Sequence, residues 1–202
     1  MGTIRKINVQ TKNRFLNMYE LEVTKKTGSE GRYYVSSRAE DEKDLKLVTH
    51  ENRADGVIIF GITPDLQKVL LVRQYRYPID AYVYELPAGL IDAGETYRMA
   101  AVREVHEETG LMLEPLDVDP MFEEPRFTTV GMTDESCARV FGYVSGKISR
   151  KYQEESEEIE AVLVDRAESM RILREEYVAA SCAYHLERFA VTEDPFADFR
   201  KK

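Results

Sequence analysis

Three carboxylates on one predicted helix are the strongest chemical signal in the sequence. Glu104, Glu107 and Glu108 are spaced at i, i+3 and i+4, which places them on one helical face at about 100° per residue. Like charges at this spacing repel by a few tenths of a kcal/mol for each close pair, so helix formation alone does not favour them. Hard divalent cations do favour them, because Mg²⁺ and Mn²⁺ prefer oxygen ligands and bind phosphates. The spacing therefore predicts a divalent metal site, and a solvated acidic face is the alternative for the glutamates taken alone.

The helix that carries these glutamates has clear start and stop signals. Glu95 and the threonine after it open the pattern, which runs to Thr109 and ends at Gly110. The preceding segment, Gly89–Gly94, is predicted to be a loop whose glycines let the backbone approach the site closely. A separate apolar stripe is predicted to face the core; it consists of Ala101, Val102 and Val105. Arg103 and His106 fall on the remaining side.

The elements around this helix predict a mixed α/β domain. Apolar runs bounded by turn residues predict strands, near Gly56–Ile62, Lys68–Tyr75, Tyr82–Leu86, Ser136–Val144 and Glu158–Val164. A helical period covers about 168–190, and residues 13–38 have the pattern of a hairpin. We therefore expect an N-terminal β region over residues 1–50 and a catalytic domain over residues 51–202.

Composition limits the possible partners. The 202 residues carry a net charge of −9 and are 43% hydrophobic, which is typical of a globular chain with a real core. This acidity disfavours nucleic acid and anionic membranes as partners, and a phosphorylated substrate would need cations as mediators. The amino-terminal residues contain no apolar stretch, and Cys137 and Cys182 form no disulfide framework. We expect a cytoplasmic protein with reduced thiols. The three histidines are interpreted as structural or solvent-exposed.

The segment around the helix resembles the signature of the Nudix hydrolases. In that signature a glycine is followed after five residues by a glutamate and after seven more by REUxEExGU, where U is aliphatic. Here these positions are Gly89, Glu95 and the run Arg103-Glu104-Val105-His106-Glu107-Glu108-Thr109-Gly110-Leu111. Every fixed and aliphatic position fits, and residues 89–111 are called the Nudix box below.

The resemblance implies an α/β/α sandwich around a mixed sheet and a metal-dependent pyrophosphohydrolase. Its substrates are nucleoside diphosphates linked to a second moiety, and Mg²⁺ or Mn²⁺ is the expected cofactor. Glu104 and Glu108 would bind the metal, and Glu107 would be a further ligand or a base. Arg103 would orient the glutamates, and Glu95 would support the geometry of loop and helix.

Two further segments resemble the ADP-ribose pyrophosphatase branch of this family. They are VRQYR at 72–76 and ELPAGLID at 85–92. The resemblance implies that Ala88 binds a metal through its carbonyl oxygen, that Arg76 contacts the substrate, and that Leu90 belongs to the substrate site. An ordinary exposed arginine at a strand end is the alternative interpretation of Arg76.

This branch also begins with an antiparallel sheet that is exchanged across a homodimer. The hairpin at 13–38 fits that part, with Phe15, Tyr33 and Arg38 at the places that hold the nucleoside diphosphate; packing is the alternative for the two aromatic residues. The branch often places its catalytic base on a late loop, which selects Glu157. Glu154, Glu155 and Glu158 are neighbours that could serve instead, and a solvated acidic loop is the alternative.

One departure from the branch concerns the substrate. A Pro-Gly pair is common after the box, and here the stretch is Val130-Gly131. Gly131 and Met132 would still line the substrate site, but GDP-mannose or another nucleotide sugar becomes a real alternative to ADP-ribose. A non-catalytic ligand-binding module is a further alternative, although such modules usually lack box glutamates. Hydrolysis of damaged nucleoside triphosphates or dinucleoside polyphosphates is a third.

Overall fold

The computed structural model describes residues 1–153 and 158–201. The strands among them are β1 (Thr3–Val9), β2 (Asn17–Thr24), β3 (Glu30–Ser37), β4 (Gly56–Ile62), β5 (Val69–Arg76), β6 (Ala81–Glu85), β7 (Ala88–Leu90), β8 (Met112–Pro115), β9 (Arg126–Phe127), β10 (Ser136–Ser145) and β11 (Ile159–Val164). The helices are α1 (Lys46–Thr49), α2 (Tyr97–Thr109), α3 (Arg166–Glu175) and α4 (Ala180–Val191). None of the helices described here is long and apolar enough to cross a membrane.

Two compact units divide the chain. Unit 1 comprises Met1–Asp55 and Pro125–Cys137, and unit 2 comprises Gly56–Glu124 and Ala138–Lys202. Both units are discontinuous in sequence. Residues 125–137, which follow the box in sequence, therefore belong to the same unit as the amino-terminal region.

Unit 1 is built on a three-stranded antiparallel sheet in the order β1-β2-β3. The predicted hairpin is β2–β3, in unbroken register from Asn17 opposite Ser37 to Thr24 opposite Glu30. Strand β1 was not predicted, because its apolar residues alternate with charged ones and stay largely exposed. It pairs with β2 across a register shift near Ile4. The small core of this unit consists of Tyr19, Leu21, Val35 and Leu45.

Unit 2 contains a sheet with the order β11-β5-β4-β10-β8, in which β6 pairs with β5 and β7 pairs with β4. Alternate residues of β4 point to opposite faces. Val57 and Ile59 pack in one cluster with Ala101 and Val105 of α2. Phe60 and Ile62 pack in another with Ile172 of α3 and with Cys182, Leu186 and Phe189 of α4. Helices thus cover both faces of the sheet, and the predicted α/β/α sandwich is confirmed.

The box helix α2 has the predicted ends. The Thr96 side chain caps its N-terminus by accepting a hydrogen bond from Met99 N at 3.2 Å. At the C-terminus Gly110 adopts a left-handed conformation with φ of 74°, which glycine tolerates without strain. The predicted apolar stripe was partly wrong. Val102 is 40% exposed, whereas Glu108 is only 4% exposed and continues the buried face that contains Ala101 and Val105.

Two other boundaries differ from the sequence prediction. The segment predicted as a loop from Gly89 begins in β7, whose residues pair with the start of β4. The predicted C-terminal helix is interrupted between α3 and α4. There Tyr177 O accepts from Tyr84 N at 2.8 Å and Ala179 N donates to Tyr84 O at 3.0 Å. Pairing with β6 takes the backbone groups that a continuous helix would have used.

Candidate active site

Arg103 lies at the centre of a carboxylate network in unit 2. Its Nε and Nη2 atoms donate to the two oxygens of Glu95 at 3.1 and 2.9 Å. Its Nη1 atom donates to Glu104 at 2.8 Å and to Glu107 at 3.0 Å. Nη2 also donates to the backbone oxygen of Leu90 at 3.0 Å. One guanidinium therefore joins β7 and Glu95, which precedes the helix, to Glu104 and Glu107 of the helix.

This network favours the charged forms of Glu95 and Arg103. The hydrogen bonds from Arg103 lower the pKa of the Glu95 carboxyl group, and the bonds to Glu95 raise the pKa of Arg103 further above its already high value. The sequence placed Arg103 apart from the acidic face, but its long side chain returns to that face. Its predicted role of orienting the glutamates agrees with this geometry.

Gly89 forms a cradle for the Glu104 carboxylate. A Cβ atom at position 89 would lie 1.9 Å from the carboxyl carbon and from one oxygen of Glu104, so any side chain there would displace the carboxylate. The pairing of Ala88–Leu90 with β4 holds the cradle in place. The box glycine is therefore required by close approach of a functional group rather than by turn conformation.

Glu108 is the buried member of the glutamate set. Glu108 lies four residues after Glu104, one turn along the helix, and is 4% exposed. Burial of a carboxylate costs free energy unless the group is hydrogen-bonded or paired. At the backbone, the Glu108 oxygen accepts a hydrogen bond from the Gln153 side chain at 2.5 Å. The Glu107 side chain is 42% exposed, more than that of Glu104 at 13%, and it accepts a hydrogen bond from Arg103.

The donor chemistry of this region fits a hard divalent cation. It offers carboxylate oxygens from one helix beside the backbone oxygen of Leu90 in β7, and oxygen atoms are the ligands that Mg²⁺ and Mn²⁺ prefer. Within the described ranges, no three or more His, Cys, Asp or Glu side chains are already arranged so that they could hold a metal ion. The Gly89 cradle around Glu104 is the observation that supports the fit.

Arg76 is fixed at the end of β5. Its Nε atom donates to a Glu85 oxygen at 2.9 Å, and its Nη2 atom donates to the other oxygen. A bidentate pair of this kind holds the guanidinium plane in one orientation. The side chain still has solvent access.

Leu90, a further predicted substrate-site residue, lies in unit 2, and the other substrate-side residues predicted from the sequence lie in unit 1. The Tyr33 hydroxyl donates to Gly131 O at 2.5 Å, and Met132 O accepts from Ser36 N at 2.9 Å. Arg38 donates through Nε to Glu135 at 2.9 Å. Strand β3 and the residue after it thus contact the segment 125–137 through Gly131, Met132 and Glu135.

Phe15 is placed by a different contact. It is 64% exposed, and the Arg14 guanidinium lies over its ring at 4.7 Å from the centroid. Within the described part of unit 1, this contact with the neighbouring Arg14 does not join Phe15 to Tyr33.

Residues 52–181 match the family model for the NUDIX domain. The chain belongs to the Nudix family. It is 42% identical over 66 residues to an ADP-ribose pyrophosphatase of Saccharomyces cerevisiae, an alignment that covers 32% of this chain and 29% of the relative. It is 27% identical over 139 residues to an ADP-ribose pyrophosphatase of Bacillus subtilis, covering 68% of this chain and 72% of the relative.

A solved structure described as an ADP compounds hydrolase has a similar fold. It superposes with a TM-score of 0.65 at 21% identity, covering 93% of this chain and 92% of that one. The chain spans about half or less of the length of several curated relatives that it matches.

The predicted catalytic base lies outside the described residues. Glu157, selected as the catalytic base, falls there together with its neighbours Glu154 and Glu155. Glu158 is described, and its carboxylate accepts a hydrogen bond from the Tyr82 hydroxyl.

Sequence reasoning missed two residues that support the Nudix helix. Glu123 is 2% exposed and accepts from Arg98 Nη2 at 2.7 Å and from Tyr97 Oη at 3.2 Å, which ties the first turn of α2 to the loop after β8. Gln153 bonds to the opposite end of the helix. Neither residue lies in the box, and a lone Glu or Gln in a polar segment carries no signal of its own.

Proposed function

We propose that this protein hydrolyses the diphosphate bond of ADP-ribose or a related nucleoside diphosphate sugar in a metal-dependent reaction. The products would be AMP, or another nucleoside monophosphate, and a sugar phosphate. The observation that carries the proposal is the seating of Glu104 in the Gly89 cradle beside the Arg103 network.

The box residues divide into two roles. Glu104, Glu108 and the carbonyl oxygen of Ala88 would hold the cation, Mg²⁺ or Mn²⁺. When bound, the cation neutralises charge that develops on the phosphate oxygens and favours ionisation of a water molecule. Arg103 orients the glutamates, and Glu95 holds Arg103 in place through two hydrogen bonds.

The reaction balances without a further reactant. The oxygen of water forms a bond to one phosphorus atom, and the bond from that phosphorus to the bridging oxygen breaks. The bridging oxygen leaves with the other phosphate, and a carboxylate accepts the proton of the water. Glu157 is our first candidate for this base, and Glu107 is the second.

Recognition of the nucleotide and the sugar is assigned to the residues outside the glutamate set. Arg76 would contact the substrate, as the resemblance of VRQYR to the ADP-ribose pyrophosphatase branch implies, and Glu85 holds its guanidinium in one orientation. Leu90 would border the substrate beside the box. The unit 1 residues Phe15, Tyr33, Arg38, Gly131 and Met132 would hold the nucleoside diphosphate. Aromatic stacking on a base contributes about 1–3 kcal/mol.

GDP-mannose or another nucleotide sugar is the second candidate substrate. Val130 stands where the ADP-ribose branch commonly has proline, and this position precedes Gly131. The names of the yeast and Bacillus relatives favour ADP-ribose.

We also propose that the protein acts as a homodimer in which unit 1 is exchanged between subunits. The unit exposes large apolar side chains, among them Phe15, Leu16 and Tyr34, and a small sheet of this kind gains stability from additional cover.

A substrate panel tests the function. The purified protein is incubated with Mg²⁺ or Mn²⁺ and ADP-ribose, GDP-mannose, NADH, diadenosine polyphosphates or 8-oxo-dGTP, and products are separated by chromatography. We expect ADP-ribose to be the best substrate and to give AMP and ribose 5-phosphate. If every nucleotide sugar stays intact, the proposal is wrong; if GDP-mannose is preferred, the chemistry stands and the substrate-side assignments are revised.

A further inference from the structure

The C-terminal end of the box helix is held by a short segment from another part of unit 2, residues 149–153. Ser149 N donates to Thr109 O at 2.9 Å. The ring of Tyr152 lies 4.3 Å from that of His106. Gln153 Nε2 donates to Glu108 O at 2.5 Å. Contacts of the segment thus reach three residues in the last turn of α2, and Ser149 also occupies the space where a Cβ atom on Gly110 would lie.

The Gln153 carboxamide connects two elements at once. Its nitrogen donates to Glu108 O at 2.5 Å and to Ile159 O, the first residue of β11, at 3.2 Å. The two amide hydrogens therefore link the helix end to a strand at the edge of the sheet. The segment is also bonded internally, since Gln153 N donates to Arg150 O at 3.3 Å and Lys151 N to the Ser149 hydroxyl at 3.2 Å.

The bonded carbonyl belongs to Glu108, whose side chain is a proposed metal ligand. Carbonyl oxygens in the last turn of a helix have no partner within the helix and need one elsewhere. A bond at this oxygen fixes the backbone from which the Glu108 carboxylate projects. Groups that hold a ligand in place from outside the metal site commonly change metal affinity or activity about 10–100-fold when removed.

We infer that Gln153 is a positioning residue for the metal site, acting through the backbone of Glu108. This inference rests on the proposed function, since it presumes that the Glu108 carboxylate binds the cation. Gln153 itself is assigned no contact with metal or substrate.

The test measures Mn²⁺ binding to the complete protein without substrate, by titration calorimetry or by the electron paramagnetic resonance signal of free Mn²⁺. Gln153→Met keeps the length and neutrality of the side chain and removes both donors. Gln67→Met is the matched control, because Gln67 lies in the exposed turn between β4 and β5. We expect Gln153→Met to raise the Mn²⁺ dissociation constant about tenfold or more, and Gln67→Met to leave it unchanged.

A merely structural role gives a different result. In that case the folded Gln153→Met variant unfolds at a lower temperature but binds Mn²⁺ within about threefold of the wild type, and the inference is overturned. If Gln153→Met fails to fold, Gln153→Asn takes its place, since the shorter side chain withdraws the amide from the Glu108 carbonyl. Its Mn²⁺ dissociation constant is read against the same limits.

The wild-type titration separates the two proposals. A wild type that binds no Mn²⁺ at millimolar concentration contradicts the metal-dependent function itself. A wild type that binds Mn²⁺ while a folded Gln153 variant binds it equally well contradicts only the positioning role.

Discussion

At the scale of single residues, the box glutamates have distinct environments although they are the same residue type. Glu95 is held by two bonds from Arg103 and its pKa is lowered. Glu104 lies in the Gly89 cradle, and Glu108 is buried. Glu95 contacts Arg103, whereas Glu104 and Glu108 are the proposed ligands of the cation.

The first prediction concerns Glu108. Glu108→Gln keeps the shape of the side chain and removes its charge, so we expect the fold to persist and turnover to fall at least about a hundredfold. The reason is that stabilisation by a metal ion contributes several kcal/mol to a reaction of this kind, and each 1.4 kcal/mol corresponds to about tenfold in rate. Steady-state kinetics with ADP-ribose measures this.

The matched control for this change is Glu114→Gln. Glu114 is an exposed residue of β8 in the same unit, and its substitution alters the net charge equally. Retained turnover in Glu108→Gln would remove Glu108 from the metal site, whereas equal losses in both variants would point to a general charge effect.

The histidines show how burial decides a residue's role. His185 lies 4.9 Å from the ring of Phe60 and its Nδ1 atom contacts Ser181 O at 2.8 Å. Burial lowers the pKa of this imidazole, so the neutral form is favoured in the folded core. The interpretation of His185 as structural agrees with this environment.

At the scale of elements, α2 is fastened at both ends. The first turn is held by the Thr96 cap and by Glu123, which binds Arg98 and Tyr97. The last turn is held by the segment 149–153. An amphipathic helix packed on a sheet gains most of its stability from burial, but burial alone fixes its position along its own axis only loosely. The terminal bonds supply that restraint.

The second prediction concerns Gly110. A Cβ atom there would lie 2.7 Å from Ser149 Cβ and 2.9 Å from Ser149 N, and the backbone has φ of +74°. Gly94 has a similar φ of +84° but no atom within 4 Å of the position of an added Cβ. Both alanine variants carry the cost of a left-handed residue, about 1 kcal/mol. We expect Gly110→Ala to lose at least about 1 kcal/mol more because of overpacking.

Urea denaturation of the two variants measures the difference in the free energy of unfolding. Equal losses would mean that Ser149 moves away from Gly110 without cost. The segment 149–153 would then contribute little to the position of the helix end.

At the scale of the whole molecule, the assigned functions are distributed over two units. The box and Arg76 lie in unit 2, whereas Phe15, Tyr33, Arg38, Gly131 and Met132, which are proposed to hold the nucleoside diphosphate, lie in unit 1. Residues 125–137 belong to unit 1 although they follow the box in sequence. A change in this segment is therefore expected to alter substrate preference more than metal binding.

The third prediction concerns assembly. Light scattering at micromolar concentration should give twice the chain mass of 23.3 kDa, because the proposed exchange of unit 1 requires a second subunit. A monomer that turns over ADP-ribose at full rate would contradict the exchange and leave the box chemistry intact.

Much of the fold could be predicted from the sequence because local signals agreed with the tertiary structure. Residues 56–62 form a strand with the predicted bounds, and α2 begins after Thr96 and ends at Gly110. The apolar run, the cap and the glycine each specify a conformation from their own chemistry. Strand β1 could not be predicted, because its pairing with β2 determines it. The interruption between α3 and α4 could not be predicted either, because hydrogen bonds to β6 determine it.

The sequence by itself determined the family and the set of box residues, since Gly89, Glu95, Arg103 and the glutamates after it are specified by type and spacing. Only the tertiary structure decided what each does: that Gly89 makes room for Glu104, that Glu108 is buried, and that Gln153 and Glu123 hold the helix from outside the box. The physical reason is range. Helix periodicity and turn chemistry act over a few residues, whereas burial and hydrogen bonds between distant segments exist only once the chain has folded.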